Sequence, residues 1–302
     1  MEQILTKVLA FVLIIALSYG LKTKGFFKAA DFKVISNIVL KITLPCAVIS
    51  NFNKINVETA LLSLVGIGVA CNLLTIAQGY LIGLRRPRID RAFNMINYSG
   101  YNIGCFTMPF IQSFLGPVGV VATCLFDAGN SLLCTGATYS MAAAVAGTGE
   151  RSTPGLFLRR MFASVAMDTY IAMVVVSALH IKLPLAVIAF TDTVGGANAF
   201  LAMVMIGIGF EVHLGRERLR RIAGMLLGRY AMATVLALFF YNCLPFSQDI
   251  RKLLAMIAFA PISAVCAIFT AKCKADVGLS CTVNSLTIVV SMVCMTGLLL
   301  WL

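Results

Sequence analysis

Charge is scarce in this 302-residue chain: Asp, Glu, Lys and Arg together make up 12%, about half the usual share of a soluble domain. That scarcity excludes an ordinary water-soluble fold. Histidine occurs only as His180 and His213, and neither has ligand partners at metal-binding spacing. The cysteines form no CxxC pair and sit in apolar stretches, as at Cys71, Cys124, Cys134 and Cys294, where they read as small packing residues. No HExxH helix, nucleophile elbow or P-loop is present. An enzyme is therefore not expected, nor any cofactor or metal.

Apolar residues are what the chain has in abundance, at 60%. The bilayer is accordingly the solvent to reason in. Windows of membrane-spanning length predict an all-α integral membrane protein of ten helices. The first five spans cover 5–21, 32–51, 59–84, 92–115 and 117–147; the second five cover 156–180, 184–212, 222–244, 253–271 and 277–302. The 5–21 stretch lacks a basic leader and a small-residue cleavage site, so it reads as a span rather than a removable signal.

Basic residues outnumber acidic ones, giving a formal charge of +12, but they lie in short loops rather than on one soluble face. That excludes a nucleic-acid partner and points to topogenesis. Odd-numbered loops carry Lys22, Lys24, Lys28 and Lys33; Arg85, Arg86, Arg88 and Arg91; Arg151, Arg159 and Arg160; Arg216, Arg218, Arg220 and Arg221; and Lys272 and Lys274. Even loops and the termini carry only Lys7, Lys54, Lys182, Arg251 and Lys252. Both termini are thus expected to be extracytoplasmic, in a multi-pass protein of the cell membrane.

An odd number of spans per half inverts a duplicated unit, the plan of many secondary transporters. Residues 1–147 form the first five-helix repeat, 148–155 a polar cytoplasmic linker, and 156–302 the second, inverted repeat. Pro109 in the fourth span and Pro261 in the ninth stand 152 residues apart, about half the chain. Proline removes a backbone donor and clashes with the preceding turn, so both spans are expected to break near these residues. Broken backbone at membrane depth is tolerated only when buried in protein or lining a wet cavity, and a half-helix N-terminus suits a carboxylate. Simple proline kinks remain the alternative.

Residues 100–109 (GYNIGCFTMP), followed by 116–119 (GPVG) and 126–130 (FDAGN), resemble the auxin efflux carrier family, which includes bacterial malate and malonate permeases. Leu44 and Pro45, Gly207 and Gly209, Pro261, and Asn284 with Ser285 also fit that pattern, and the absence of a long central loop suits a compact microbial member. The resemblance implies broken, crossing fourth and ninth helices. It implies a scaffold of spans one, two, six and seven, often dimeric, and a transport domain of spans three to five and eight to ten moving in an elevator-like step. The expected partners are a small organic anion, mono- or dicarboxylate, the lipid bilayer, and a second copy joined through the scaffold.

Candidate substrate-binding residues are Asn102, Gly104, Thr107, Pro109, Asn130, Pro261, Ser263, Asn284 and Ser285, with Asp127 as the coupling or proton candidate. Asp127 and Asn130 share a helix face; a structural role competes with a functional one for them, and helix glue competes for Asn284 and Ser285. Asp168 and Asp192 read as interhelical hydrogen-bonding groups. Lys41 either attracts an anion or snorkels, and Arg229 is expected to snorkel toward the cytoplasmic surface. The function expected is secondary transport of a small organic anion. The alternatives are a sodium-coupled carrier of the bile-acid symporter type and a non-transporting sensor on the same fold.

Overall fold

The computed structural model describes residues 2–28, 30–55, 57–148, 164–212 and 216–301, without the side chains at 135, 216 and 217. Most of the 148–155 linker, the start of the sixth span with Arg159 and Arg160, and His213 lie outside the described residues. Among the described residues the chain is all helical and holds no strand.

In chain order the helices are α1 (Glu2–Thr23), α2 (Asp31–Phe52), α3 (Thr59–Ile82), α4 (Arg88–Tyr98), α5 (Met108–Phe114), α6 (Gly116–Leu132) and α7 (Thr138–Ala146). They continue as α8 (Val165–Ala178), α9 (Leu185–Gly209), α10 (Arg216–Cys243), α11 (Gln248–Ala258), α12 (Cys266–Lys272) and α13 (Val277–Trp301). Six of them, α1, α2, α3, α9, α10 and α13, are long and apolar enough to cross a membrane. The other expected spans are not single rods. The fourth is divided between α4 and α5, the fifth between α6 and α7, and the ninth between α11 and α12, while α8 is the described part of the sixth.

A chain solvated by lipid turns apolar stripes outward. On α1, Leu5, Leu9, Leu13 and Leu17 recur every fourth residue and are all exposed, one continuous face for acyl chains. Lipid tails give no hydrophobic drive for helices to associate, so close backbone packing has to do it. A methyl group added at Gly129 of α6 would run into the Val65 carbonyl oxygen of α3, and one at Gly68 of α3 into the Phe126 carbonyl oxygen of α6. These two helices therefore touch backbone to backbone. Gly207 of α9 faces the Ile15 carbonyl of α1 in the same way, and Gly209 faces the Phe32 ring of α2. Two packing groups result: α1, α2 and α8 with α9 among them, and α3, α4, α6 and α7 beside α10 to α13.

Prolines act here through wide turns. In α2 a π-helical stretch, Val39–Thr43, precedes Pro45; before α5 another, Ile103–Thr107, precedes Pro109. Each proline follows its π stretch by two residues, so the extra residue in the turn clears the carbonyl that the ring would otherwise strike. This corrects the expectation of a break near Pro109. The helix remains continuous there, and the chain leaves helical geometry earlier, over residues 99–102. At Pro261 the expectation holds, for residues 259–265 are non-helical.

Candidate functional site

The two interruptions touch. The Asn102 N–H donates to the Pro261 carbonyl at 2.9 Å, which ties the start of the π turn before α5 to the middle of the gap between α11 and α12. The Asn102 carbonyl in turn accepts from the N–H and the Oγ1 of Thr107, each at 3.1 Å. Gly100 carries φ of +75°, the left-handed region where a side chain is strained. A methyl there would also lie 2.8 Å from Cys134 Sγ and 3.1 Å from Ser263 Cβ.

Extended backbone buried among helices needs partners for its amides. Asn130 of α6 supplies them at Tyr101: its Oδ1 accepts from the Tyr101 N–H at 3.1 Å, and its Nδ2 donates to the Tyr101 carbonyl at 3.0 Å. One planar amide thus pairs both backbone groups of a residue, as a neighbouring strand would. The same side chain accepts from Asn72 Nδ2 at 2.9 Å and donates to Asp127 Oδ1 at 2.8 Å. Asp127 also accepts from Tyr170 Oη of α8 at 2.9 Å through Oδ2 and from Ser131 Oγ at 3.4 Å. This carboxylate is held by neutral donors and belongs to none of the ion pairs among the described residues.

A cavity of about 270 Å3 opens beside the contact between the interruptions. Asn102, Asn284 and Ser285 line it, together with Lys22 of α1, Phe32 of α2 and Glu211 beyond α9. Asn284 Oδ1 is buried with no hydrogen-bond partner. Ser285 Oγ accepts from the Glu211 N–H at 3.0 Å, and Lys22 Nζ lies 3.2 Å from the Phe210 carbonyl and 3.9 Å from Glu211 Oε1. One base, one acid and three uncharged polar residues therefore share a space otherwise walled by apolar side chains such as Ile206, Ile208 and Ile288.

The structure brings only part of the expected set together. Asn102, Asn284 and Ser285 share the cavity. Pro261, Thr107 and Ser263 belong to the contact between the interruptions, and Asn130 supports it from behind. Gly104 faces Leu44 and Leu40 of α2, and Pro109 is buried within α5; neither lines the cavity, nor does Asp127. Asp192 accepts from Lys54 at 2.8 Å and from Ser50, the interhelical role expected of it. Lys41 is exposed in the middle of α2.

The snorkelling expected of Arg229 is overturned. Its side chain is buried, and it donates to the carbonyls of Tyr98 at 2.6 Å and of Gly100 and Ala260 at 2.9 Å. Two helices stop at this place, and the carbonyls at and just beyond their ends need donors. An arginine deep in an apolar span with no acid to pair with was the available signal; the carbonyls themselves lie too far along the chain to be read beside it.

A family profile described as Membrane transport protein matches residues 3–156, which covers the first interruption, Asn102, Asp127 and Asn130. Among curated proteins, none matches the chain. The members of the profiled family are transporters, not enzymes. With apolar helices long enough to span a bilayer and a profile match over half its length, the chain is a multi-pass membrane protein and belongs to the membrane transport protein family, that of the auxin efflux carriers.

Proposed function

We propose that this protein is a secondary carrier of small organic anions, mono- or dicarboxylates, in the cell membrane. The observation that carries the reading is the cavity in which Asn102, from one interrupted segment, meets Asn284 and Ser285 of α13 beside a basic side chain, Lys22. Amide donors and one ammonium match a carboxylate, and the Ile and Phe walls match a compact apolar body. In this reading the chain makes ten crossings as two inverted repeats with both termini outside. The group of α1, α2, α8 and α9 is the scaffold, through which two copies pair, and the remaining helices move past it as the transport domain. Hydrogen bonds that cross between the groups are those such motion must exchange, among them Tyr170 to Asp127, Glu211 to Ser285, and Gln112 of α5 with Gly195 and Asn198 of α9.

Asp127 serves as the coupling group because its carboxylate meets Tyr170 across that boundary. Asparagine in its place keeps an acceptor for Asn130 and a polar group for Tyr170 but binds no proton. Asp127→Asn is expected to accumulate normally and to flatten the pH dependence of uptake.

Counterflow in proteoliposomes, with malate, malonate and indole-3-acetate as probes, tests the carrier reading. Saturable exchange of a labelled probe for its unlabelled form is expected. Probe binding by thermal shift with no exchange would leave a sensor, and neither response to any carboxylate would sink the anion reading.

A further inference from the structure

Arg229 is 5% exposed, in a helix that crosses the membrane, and none of the ion pairs among the described residues includes it. A charge at that depth is costly unless its donors are satisfied. Its three partners are all backbone carbonyls: Tyr98, the last residue of α4, and Gly100 and Ala260, each two residues past the ends of α4 and α11. Helix C-termini carry partial negative charge and unpaired carbonyls, and here two of them converge on one guanidinium. The Tyr101 ring lies 5.4 Å from its Cζ, close enough for a cation–π contact. Its own helix is drawn close on this side. A methyl at Gly228 would lie 2.9 Å from Tyr98 Oη, and Gln78 Nε2 donates to the Gly228 carbonyl at 2.7 Å.

We propose that Arg229 is the built-in cation of this crossing. A tethered guanidinium fills the place where a dissociable cation would otherwise neutralise two converging helix ends, and it thereby fixes the frame of the cavity without an inorganic ion there. The planar fork is matched to the arrangement, since Nη1 serves Tyr98 while Nη2 is shared by Gly100 and Ala260. Arg229 does not line the cavity, so it is a positioning residue. Its removal leaves three carbonyls facing an empty space suited to a planar, hydrogen-bonding cation.

The test needs no transported substrate, so its outcome is separate from that of the carrier reading. Full-length protein in detergent is labelled with a maleimide and the rate at Cys266 is read by peptide mass spectrometry. That thiol is 3% exposed and lies 3.2 Å from the Ile96 carbonyl, beside the crossing. In Arg229→Ala, labelling is expected to accelerate about tenfold or more, as buried carbonyls lose their donor. Low-millimolar guanidinium chloride should slow it more than sodium, potassium or choline chloride at equal concentration. An unchanged rate in the variant, an equal response to all four salts, or none, overturns the proposal. If Arg229→Ala does not accumulate, Arg229→Lys and Arg229→Gln decide. Protection closer to wild type in the lysine variant, which keeps the charge, is expected; glutamine protecting as well or better overturns it.

Discussion

The interruption after α4 and the one after α11 touch each other but are held by different means. At the first, one side-chain amide, Asn130, binds both backbone groups of Tyr101 from α6. At the second, the Ile262 N–H reaches Thr287 Oγ1 at 3.3 Å, the Pro261 and Ala260 carbonyls accept from Asn102 and Arg229, and the other bonds are local turns such as the Ala260 N–H onto the Ile257 carbonyl. The first is a frame, and the second leans on it. The cavity takes Ala264 from the second interruption and Ala267 and Ile268 from the helix after it, but Asn102 alone from the first. Backbone gripped by a side-chain amide positions a ligand, whereas backbone held by local turns can adjust to one.

The largest expected effect is that of Asn130→Ala, which leaves the Tyr101 N–H and carbonyl, Asn72 and Asp127 each short of a partner. A loss on the order of 4 kcal/mol follows from several buried polar groups at once, read as a lower thermal midpoint of the purified protein. Stability like that of wild type would remove the frame from the comparison. Gly100→Ala comes next, at about 2 kcal/mol for the left-handed φ, with a further cost from the contact with Cys134. Repeating it with Cys134→Ala should recover the contact's share and leave the backbone strain. Thr287→Val deletes the acceptor for Ile262 and is expected to cost about 1 kcal/mol. If it matched Asn130→Ala, the two interruptions would be equally held and the contrast would fail. Asn284→Ala should change stability least, within about 0.5 kcal/mol, because its Oδ1 has no partner to lose. It should still weaken malate or malonate binding about tenfold, the value of one lost hydrogen bond to a charged ligand, measurable by isothermal titration.

Much of the bundle was legible in the sequence because lipid demands long uninterrupted apolar runs, and α1, α2, α3, α9, α10 and α13 follow that demand directly. Pro261 marked its interruption correctly. Pro109 did not, since a proline in a span can be accommodated either by leaving the helix or by widening the turn before it, and composition alone does not separate these outcomes. Asn102, Asn284 and Ser285 were legible as polar groups in apolar runs, and they share the cavity. Asn130 was visible for the same reason, but its partner is the backbone of Tyr101, and backbone leaves no mark in a residue pattern. Arg229 and Lys22 show how far a charge can be misjudged from its own neighbourhood. One is paired with helix ends from two distant segments, and the other, in a row of loop lysines, reaches the cavity wall.

The pairing of Tyr101 by Asn130 also bears on how this position can vary. Only asparagine and glutamine carry a donor and an acceptor on one planar amide, and glutamine cannot be reached from an asparagine codon by a single base change. Aspartate, serine, threonine, lysine, histidine, isoleucine and tyrosine can, and each gives up at least one half of the pairing or the spacing and planarity of the amide. Drift through this codon therefore passes first through weakened proteins, and sequence change in this part of the molecule is expected to accumulate around Asn130 rather than at it.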